Sequence, residues 1–333
     1  MSTKPDIQLS DHFGYKHLIR FTLPTIVMML VASIYGMVDG LCVSNIVGKE
    51  AFAAVNIVLP LPTMCTALGT MLGTGGAAYL ARKLGQKHYR QAHGTFTVLV
   101  LLATIIGLAT SALGIVFMPN LAKLMGANES LLPLCTEYGR TYMLSMVWFV
   151  LQALLQAVLI TAERPKIGLW FVLAAGITNI GLDVLFMYVF GWGLKGAAWA
   201  TFVSSMMGSL GPLIFFLRSK NIPLHLTLPH WNIYVLKKIF INGSSDMVIE
   251  ISAPLCSILY NLQLIRLFRE DGIAAYGVIM YVNYVFTSLV VGYLTGLESI
   301  VGYHYGARNT EELHSLRRKS RNLINWFGIT MFA

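Results

Sequence analysis

The chain is 333 residues long, 56% hydrophobic and only 12% charged, with a mean hydropathy of +0.66. Soluble domains carry about 25% charged residues, so this composition excludes an ordinary globular domain and makes lipid the natural solvent. The net charge of +9 would signal an acidic partner in a soluble protein, but in a membrane chain it must first be assigned to loops.

The N-terminus is polar through Lys16. The first apolar run is too long for a cleavable leader and is expected to remain as a span. Apolar runs then recur at 18–44, 51–81, 94–118, 131–161, 167–190, 196–217, 235–264, 272–304 and 322–333. Since about 20 helical residues cross the hydrocarbon, these runs predict eight complete helices and the start of a ninth. The runs are continuous rather than alternating, which excludes barrel strands. The predicted class is an all-α polytopic membrane bundle.

Placing the N-terminus in the cytoplasm puts eighteen of the 24 Lys and Arg residues on the inner side, in clusters such as Arg82, Lys83, Lys87 and Arg90. The outer side keeps Lys49, Lys123, Arg140, Lys195, Arg266 and Arg269. That asymmetry predicts a multi-pass protein of the cytoplasmic membrane with its N-terminus inside. It accounts for the net charge without nucleic acid as a partner.

The longest polar stretch, "RSKNIPLHLTLPHWNI" at 218–233, separates spans six and seven and predicts a link between two lobes, 1–222 and 223–333. At an offset of 221 residues, Ala53, Thr66, Leu68, Gly75 and Gly85 face Ala274, Thr287, Leu289, Gly296 and Gly306. Spans 1–2 and 7–8 therefore read as copies in the same orientation, a parallel repeat. A six-span first lobe implies a six-span second lobe, so the chain is expected to be a C-terminally shortened form of a twelve-span protein.

Acids inside apolar runs are costly and usually face a cavity or a partner. Asp39 lies deep in span one, with Tyr35 one turn earlier; Asp183 lies in span five, with Asn179 one turn earlier. Span four adds Tyr138 and the pair Gln152 and Gln156, and span six adds Thr201. Two carboxylates sharing a low-dielectric cavity cannot both ionise cheaply, so such a pair can take up and release a proton. The same oxygens can instead hold Na⁺. In the second lobe, Asp246 and Glu250 share a face of span seven and Glu298 lies in span eight. Gln152, Gln156, Glu250 and Glu298 are candidates for lining a substrate cavity. Pro24 interrupts the backbone bonding of span one and permits a bend.

Cys42, Cys65, Cys135 and Cys256 lie in or beside apolar runs without close pairing, which fits packing rather than a disulfide framework or a metal site. His88, His93, His225, His230, His304 and His314 are scattered near loops or span ends. There is no P-loop, GxSxG, HExxH or CxxC, so neither an ATP-driven pump nor an intramembrane protease has its parts. No catalytic residue and no organic cofactor is expected.

Several segments together resemble the multidrug and toxic compound extrusion family: "LPTIVMMLVASIYGMVD", "GTGGAAYLARKLGQKHYRQA", "QAVLITAERPKIGL", "NIGLDVLFM", "GLKGAAWAT" and "GYHYGARN", in that order. The resemblance implies two six-helix lobes facing each other as a V, and antiport of H⁺ or Na⁺ against organic, often cationic, drugs. It implies a coupling-ion site at Tyr35, Asp39, Tyr138, Asn179, Asp183 and Thr201, with Pro24 at the span-one bend. The expected protein is a monomeric secondary transporter in the lipid bilayer, with small organic cations and drugs as substrates. Glu298 stands where the family commonly has glutamine, and His304 where asparagine is usual. Two other readings remain: a flippase for lipid-linked or amphipathic substrates on a related two-lobed fold, and a non-transporting membrane scaffold. The flippase reading calls for Lys and Arg in the first-lobe cavity. The scaffold reading predicts that Asp39 and Asp183 tolerate apolar replacement.

Overall fold

The computed structural model describes residues 7–219 and 222–332, apart from the side chains of Leu41, Lys49, 330–332 and most positions between 253 and 284. These residues form ten α-helices and one π-helical turn, and no strand occurs among them. The helices are α1 (Tyr15–Ile46), α2 (Lys49–Val58), α3 (Pro60–Gly85), α4 (Tyr89–Leu124), α5 (Leu132–Met143), α6 (Met146–Thr161), α7 (Pro165–Asp183), α8 (Gly193–Arg218), α9 (Ile233–Gly306) and α10 (Thr310–Phe332). The π-helical turn, Val184–Val189, follows α7 directly.

Among the described residues, six helical stretches are long and apolar enough to cross a membrane, or seven if α5 and α6 are one span bent by 45°. The bent pair is the predicted span four, which breaks at Leu144–Ser145. Span two is likewise divided at Leu59–Pro60, where proline cannot donate to the preceding turn. Large apolar side chains stay uncovered along the helices: Ile105, Leu108, Leu113 and Val116 on α4 are all more than half exposed. A lipid-facing surface explains them; in water they would form a patch of the kind that drives association. Aromatic side chains gather at both ends, Tyr188 and Trp192 at one and Trp231 and Tyr234 at the other, as at membrane interfaces.

The predicted spans seven and eight are one helical element of 74 residues. Were α9 straight it would extend about 110 Å. Yet Ile239 packs against Gly75 and Tyr303 against Gly85, and those glycines are only about 15 Å apart along α3. The element therefore folds back as two arms that both lie along α3. A Cβ at Gly75 or Gly85 would run into the carbonyl of Ile239 or Tyr303, so glycine is what permits this approach of backbones. Arg266 and Arg269 lie outside the described side chains.

Three apolar clusters order the bundle. One joins α3, α4, α6 and α8 with the start of α9. A second joins the far end of α1 to α2, α5 and the start of α8. The third gathers the N-terminal segment, the start of α1, α7, the second arm of α9 and α10. The polar link after α8 does not stand free. Ile222 and Leu224 are buried, and the backbone N–H groups of His225 and Thr227 donate to His93 Nδ1 and Thr97 Oγ1 of α4 at 2.8 and 3.0 Å. The His93 and His225 rings stand 5.4 Å apart; hydropathy gave no hint of that pairing.

Candidate functional site

Asp39 is carried by α1 and Asp183 is the last residue of α7. α7 passes there into the π-helical turn, a widened geometry often found at functional positions. The two carboxylates are neighbours, close enough to interact directly. Asp183 has no exposed surface. Among the described residues, neither of its oxygens has a hydrogen-bond donor, and the same is true of Asp39 Oδ1. An ionised carboxylate without donors in a low-dielectric setting is unstable, so this pair calls for a bound proton or another cation.

Three of the predicted neighbours, Tyr35, Tyr138 and Asn179, lie close to it. Tyr35, one turn before Asp39, packs against Gly176 of α7. Asn179 and Tyr138 are buried, and Tyr138 is within electrostatic reach of both carboxylates. Thr201 is buried too, but its hydroxyl donates to the Ala197 carbonyl at 3.0 Å, which leaves only its lone pairs for a ligand. Pro24 is buried within α1, and the helix runs through it unbroken.

A cavity of about 300 Å³ opens beside this pair, lined by Tyr35, Thr63, Thr66, Thr70, Tyr142, Phe149, Gln152, Gln156 and Glu250, among others. It unites three of the four residues expected to line a cavity. Among the described residues, Gln152 Oε1 and Glu250 Oε2 are buried without partners, and the wall presents these two acceptors and no cationic side chain. Glu250 comes from the first arm of α9, beside Thr70 of α3, so both lobes build the cavity. Glu298 is not part of it; it stands on the second arm, near Asp246.

Four cavity residues escaped the sequence reading as site residues, one tyrosine and three threonines. Tyr142 lines the cavity and lies within electrostatic reach of Asp39; its signal is the i, i+4 spacing from Tyr138. Thr63, Thr66 and Thr70 fall at i, i+3, i+7 on one face of α3, a hydroxyl stripe in an apolar run. Among the described residues no group of three or more His, Cys, Asp or Glu is arranged to hold a metal ion.

A two-lobed helical bundle with a buried carboxylate pair beside a polar cavity defines a polytopic membrane protein of the secondary-transporter type. The family model MatE matches residues 24–185 and 247–333, and the chain belongs to that family, multidrug and toxic compound extrusion. The chain is similar to the multidrug export protein MepA of Staphylococcus saprophyticus, 24% identical over 95% of this chain and 70% of that protein. It is also similar to MepA of Staphylococcus aureus strain N315, 24% identical over 88% of this chain and 65% of that protein. The chain thus spans about two thirds of the length of these relatives. In fold it matches a multidrug resistance MATE family transporter in its outward-facing conformation, with a TM-score of 0.92 and 24% identity over 99% of this chain and 74% of that one. A MATE crystal structure in the straight conformation matches with a TM-score of 0.90 and 23% identity, over 96% and 72%.

Proposed function

We propose that the protein is a cation-coupled efflux antiporter of the cytoplasmic membrane that exports organic, often cationic, drugs by alternating access. The observation that carries this reading is the orphaned pair Asp39 and Asp183. A proton shared between them, or Na⁺ held by their oxygens with Asn179, Tyr35, Tyr138 and Thr201 around it, supplies the missing partner. Cargo binds in the adjoining cavity, where Gln152, Gln156 and Glu250 offer acceptors and acidic charge to a cation. Such a wall suits drug-like cations better than anionic lipid head groups, so the flippase reading finds no support in it. Occupation of the acid pair and of the cavity couple because Tyr35 and Tyr142 belong to both. Pro24 lets α1 bend as the pair loads and empties. The basic loops support an N-terminus in the cytoplasm; in this reading residues 1–222 are the first lobe and the protein works as a monomer.

The test is drug efflux from proteoliposomes driven by a pH gradient or by a Na⁺ gradient, with the full-length protein. Asp183→Asn is expected to lower gradient-driven efflux roughly 10- to 100-fold, the size of a typical coupling between sites. Whichever gradient drives the parent protein identifies the ion. Unchanged coupled efflux in Asp183→Asn would sink the mechanism.

A further inference from the structure

The segment before α1 is polar in composition, and its sequence gives no reason to expect a role. In the structure it is built in. Leu9 and Phe13 have no exposed surface and Ile7 almost none. All three belong to the apolar cluster that includes Leu18 and Phe21 of α1, Val172 of α7, Ile300 of α9 and Leu316 of α10.

The polar links run to both lobes. On the first-lobe side, the Leu9 N–H donates to Glu163 Oε1 at 2.8 Å, in the turn between α6 and α7. On the second-lobe side, the Phe13 N–H donates to Glu312 Oε1 at 2.9 Å, and the His12 ring bonds the other oxygen of Glu312. Lys319 completes this side by donating to the Phe13 carbonyl. Glu312 and Lys319 are both buried members of α10. Phe13 is only four positions beyond Leu9, a reach of at most about 14 Å when extended.

Several other contacts between the two halves at this end are different in kind. Thr25 Oγ1 donates to the Gly292 carbonyl at 2.7 Å, Thr161 and Ser299 hydroxyls meet at 3.0 Å, and Gly85 faces Tyr303. These three are small, flat contacts that can part without leaving a stranded charge; beside them the Arg82 guanidinium lies 5.2 Å over the Tyr305 ring. Beside the segment lies an open polar cleft of about 680 Å³, lined by Ser10, Asp11, His12, His304, Asn309 and Glu312, among others.

We infer that residues Ile7–Gly14 are a latch: pinned to the first lobe by Leu9–Glu163 and by continuity with α1, they clasp α10 of the second lobe through Glu312 and Lys319 and hold this end of the pathway shut. The inference rests on the alternating-access reading above. Opening at this end moves Glu312 away from Glu163, and the short tether cannot follow both. The clasp on α10 is the part that releases, because the segment continues into the first-lobe helix α1. The adjoining cleft gives the freed His12 and Phe13 room to withdraw.

The experiment measures access to the cavity from the latch side. In full-length protein with its native cysteines replaced, an azide-bearing side chain introduced at Thr66 reports labelling by a membrane-impermeant strained alkyne in inside-out vesicles, a chemistry that thiol reagents do not touch. Bridging His12→Cys to Glu312→Cys with a short, reducible bifunctional thiosulfonate is expected to slow labelling by about tenfold or more, with recovery on reduction. Lys319→Ala, which weakens the clasp while leaving Glu312 in place, is expected to speed labelling several-fold in protein that still elutes as a single species. Labelling that proceeds equally fast in bridged and reduced protein overturns the latch and leaves the transport reading standing. A cavity that never labels from this side, with no gradient-driven efflux, removes alternating access and the latch with it.

Discussion

Two carboxylates at opposite ends of the first helix, Asp183 beside Asp39 and Glu312 beside the N-terminal segment, are almost equally hidden from solvent, at 0% and 5% exposure. Their surroundings differ completely. Glu312 accepts from the Phe13 N–H and bonds His12, with Lys319 nearby. Burial alone would raise its carboxyl, but these partners hold it below the usual range. Asp183 accepts from no donor among the described residues. A buried acid that the fold has satisfied is architecture, and one that the fold has left unsatisfied is waiting for a ligand.

Replacing each acid tests that contrast. Asp183→Asn carries the largest expected effect, the 10- to 100-fold loss of coupled efflux given above, with no loss of thermal stability, because the ionised group gives the fold nothing to lose. Glu312→Ala should do the reverse to the fold. It strands the Phe13 N–H and removes the carboxylate charge near the Lys319 ammonium, a cost of roughly 1–3 kcal/mol, read as a lower midpoint in thermal denaturation of detergent-purified protein. Equal destabilisation by the two substitutions would erase the distinction.

Acid titration sharpens the contrast at the latch, where Glu163 and Glu312 shift in opposite directions. Glu312, held low in the folded state, stabilises above the ordinary carboxyl value of about 4.3, and that contribution is lost as pH falls through its folded value. Glu163 is pushed up by burial, although it accepts from Leu9. Its folded state favours the protonated form, so stability is greatest below about 4.3 and declines as pH rises through the folded value. The midpoint deficit of Glu312→Gln relative to the parent should therefore shrink on acidification below pH 4. Glu163→Gln, which keeps an acceptor for Leu9, should be at least as stable as the parent at neutral pH and lose that advantage in acid. Parallel curves for the two variants would refute the opposed assignment.

The smallest effect belongs to Lys195 and Glu137, an ion pair at 3.7 Å whose side chains are 51% and 55% exposed. Lys195→Ala should change stability by about 0.5 kcal/mol or less, within the scatter of a melting experiment.

Much of this was legible in the residues because lipid imposes a coarse rule. An apolar run of spanning length can only be a helix, and an acid inside one needs a reason. Asp39, Asp183 and their neighbours Tyr35 and Asn179 stood out on that ground, and the structure brings them together. Gln152, Gln156 and Glu250 share a cavity as expected; Glu298, equally apparent by the same rule, lies on another arm of α9. Helical spacing along one chain segment cannot say which of two folded-back arms an acid will face.

The polar segments were less readable. Nothing in "DIQLSDHFG" distinguishes Leu9 and Phe13 from incidental apolar residues in a tail, and nothing marks Glu163 or Glu312 as their acceptors. These partners are separated by 154 and 299 positions. The bend between α5 and α6 carries an equally faint signal, since the apolar run 131–161 continues through it, whereas the return of α9 was legible as the break between the runs 235–264 and 272–304.

The sequence by itself determined the solvent, the helical class, the approximate spans and the acids that had to be explained, because transfer of side chains and peptide groups into hydrocarbon is a local cost that each residue bears alone. Only the tertiary structure decided which acids are satisfied and which are not, because a hydrogen-bond donor is supplied by whatever segment the fold brings within 3 Å, and that segment can come from anywhere in the chain.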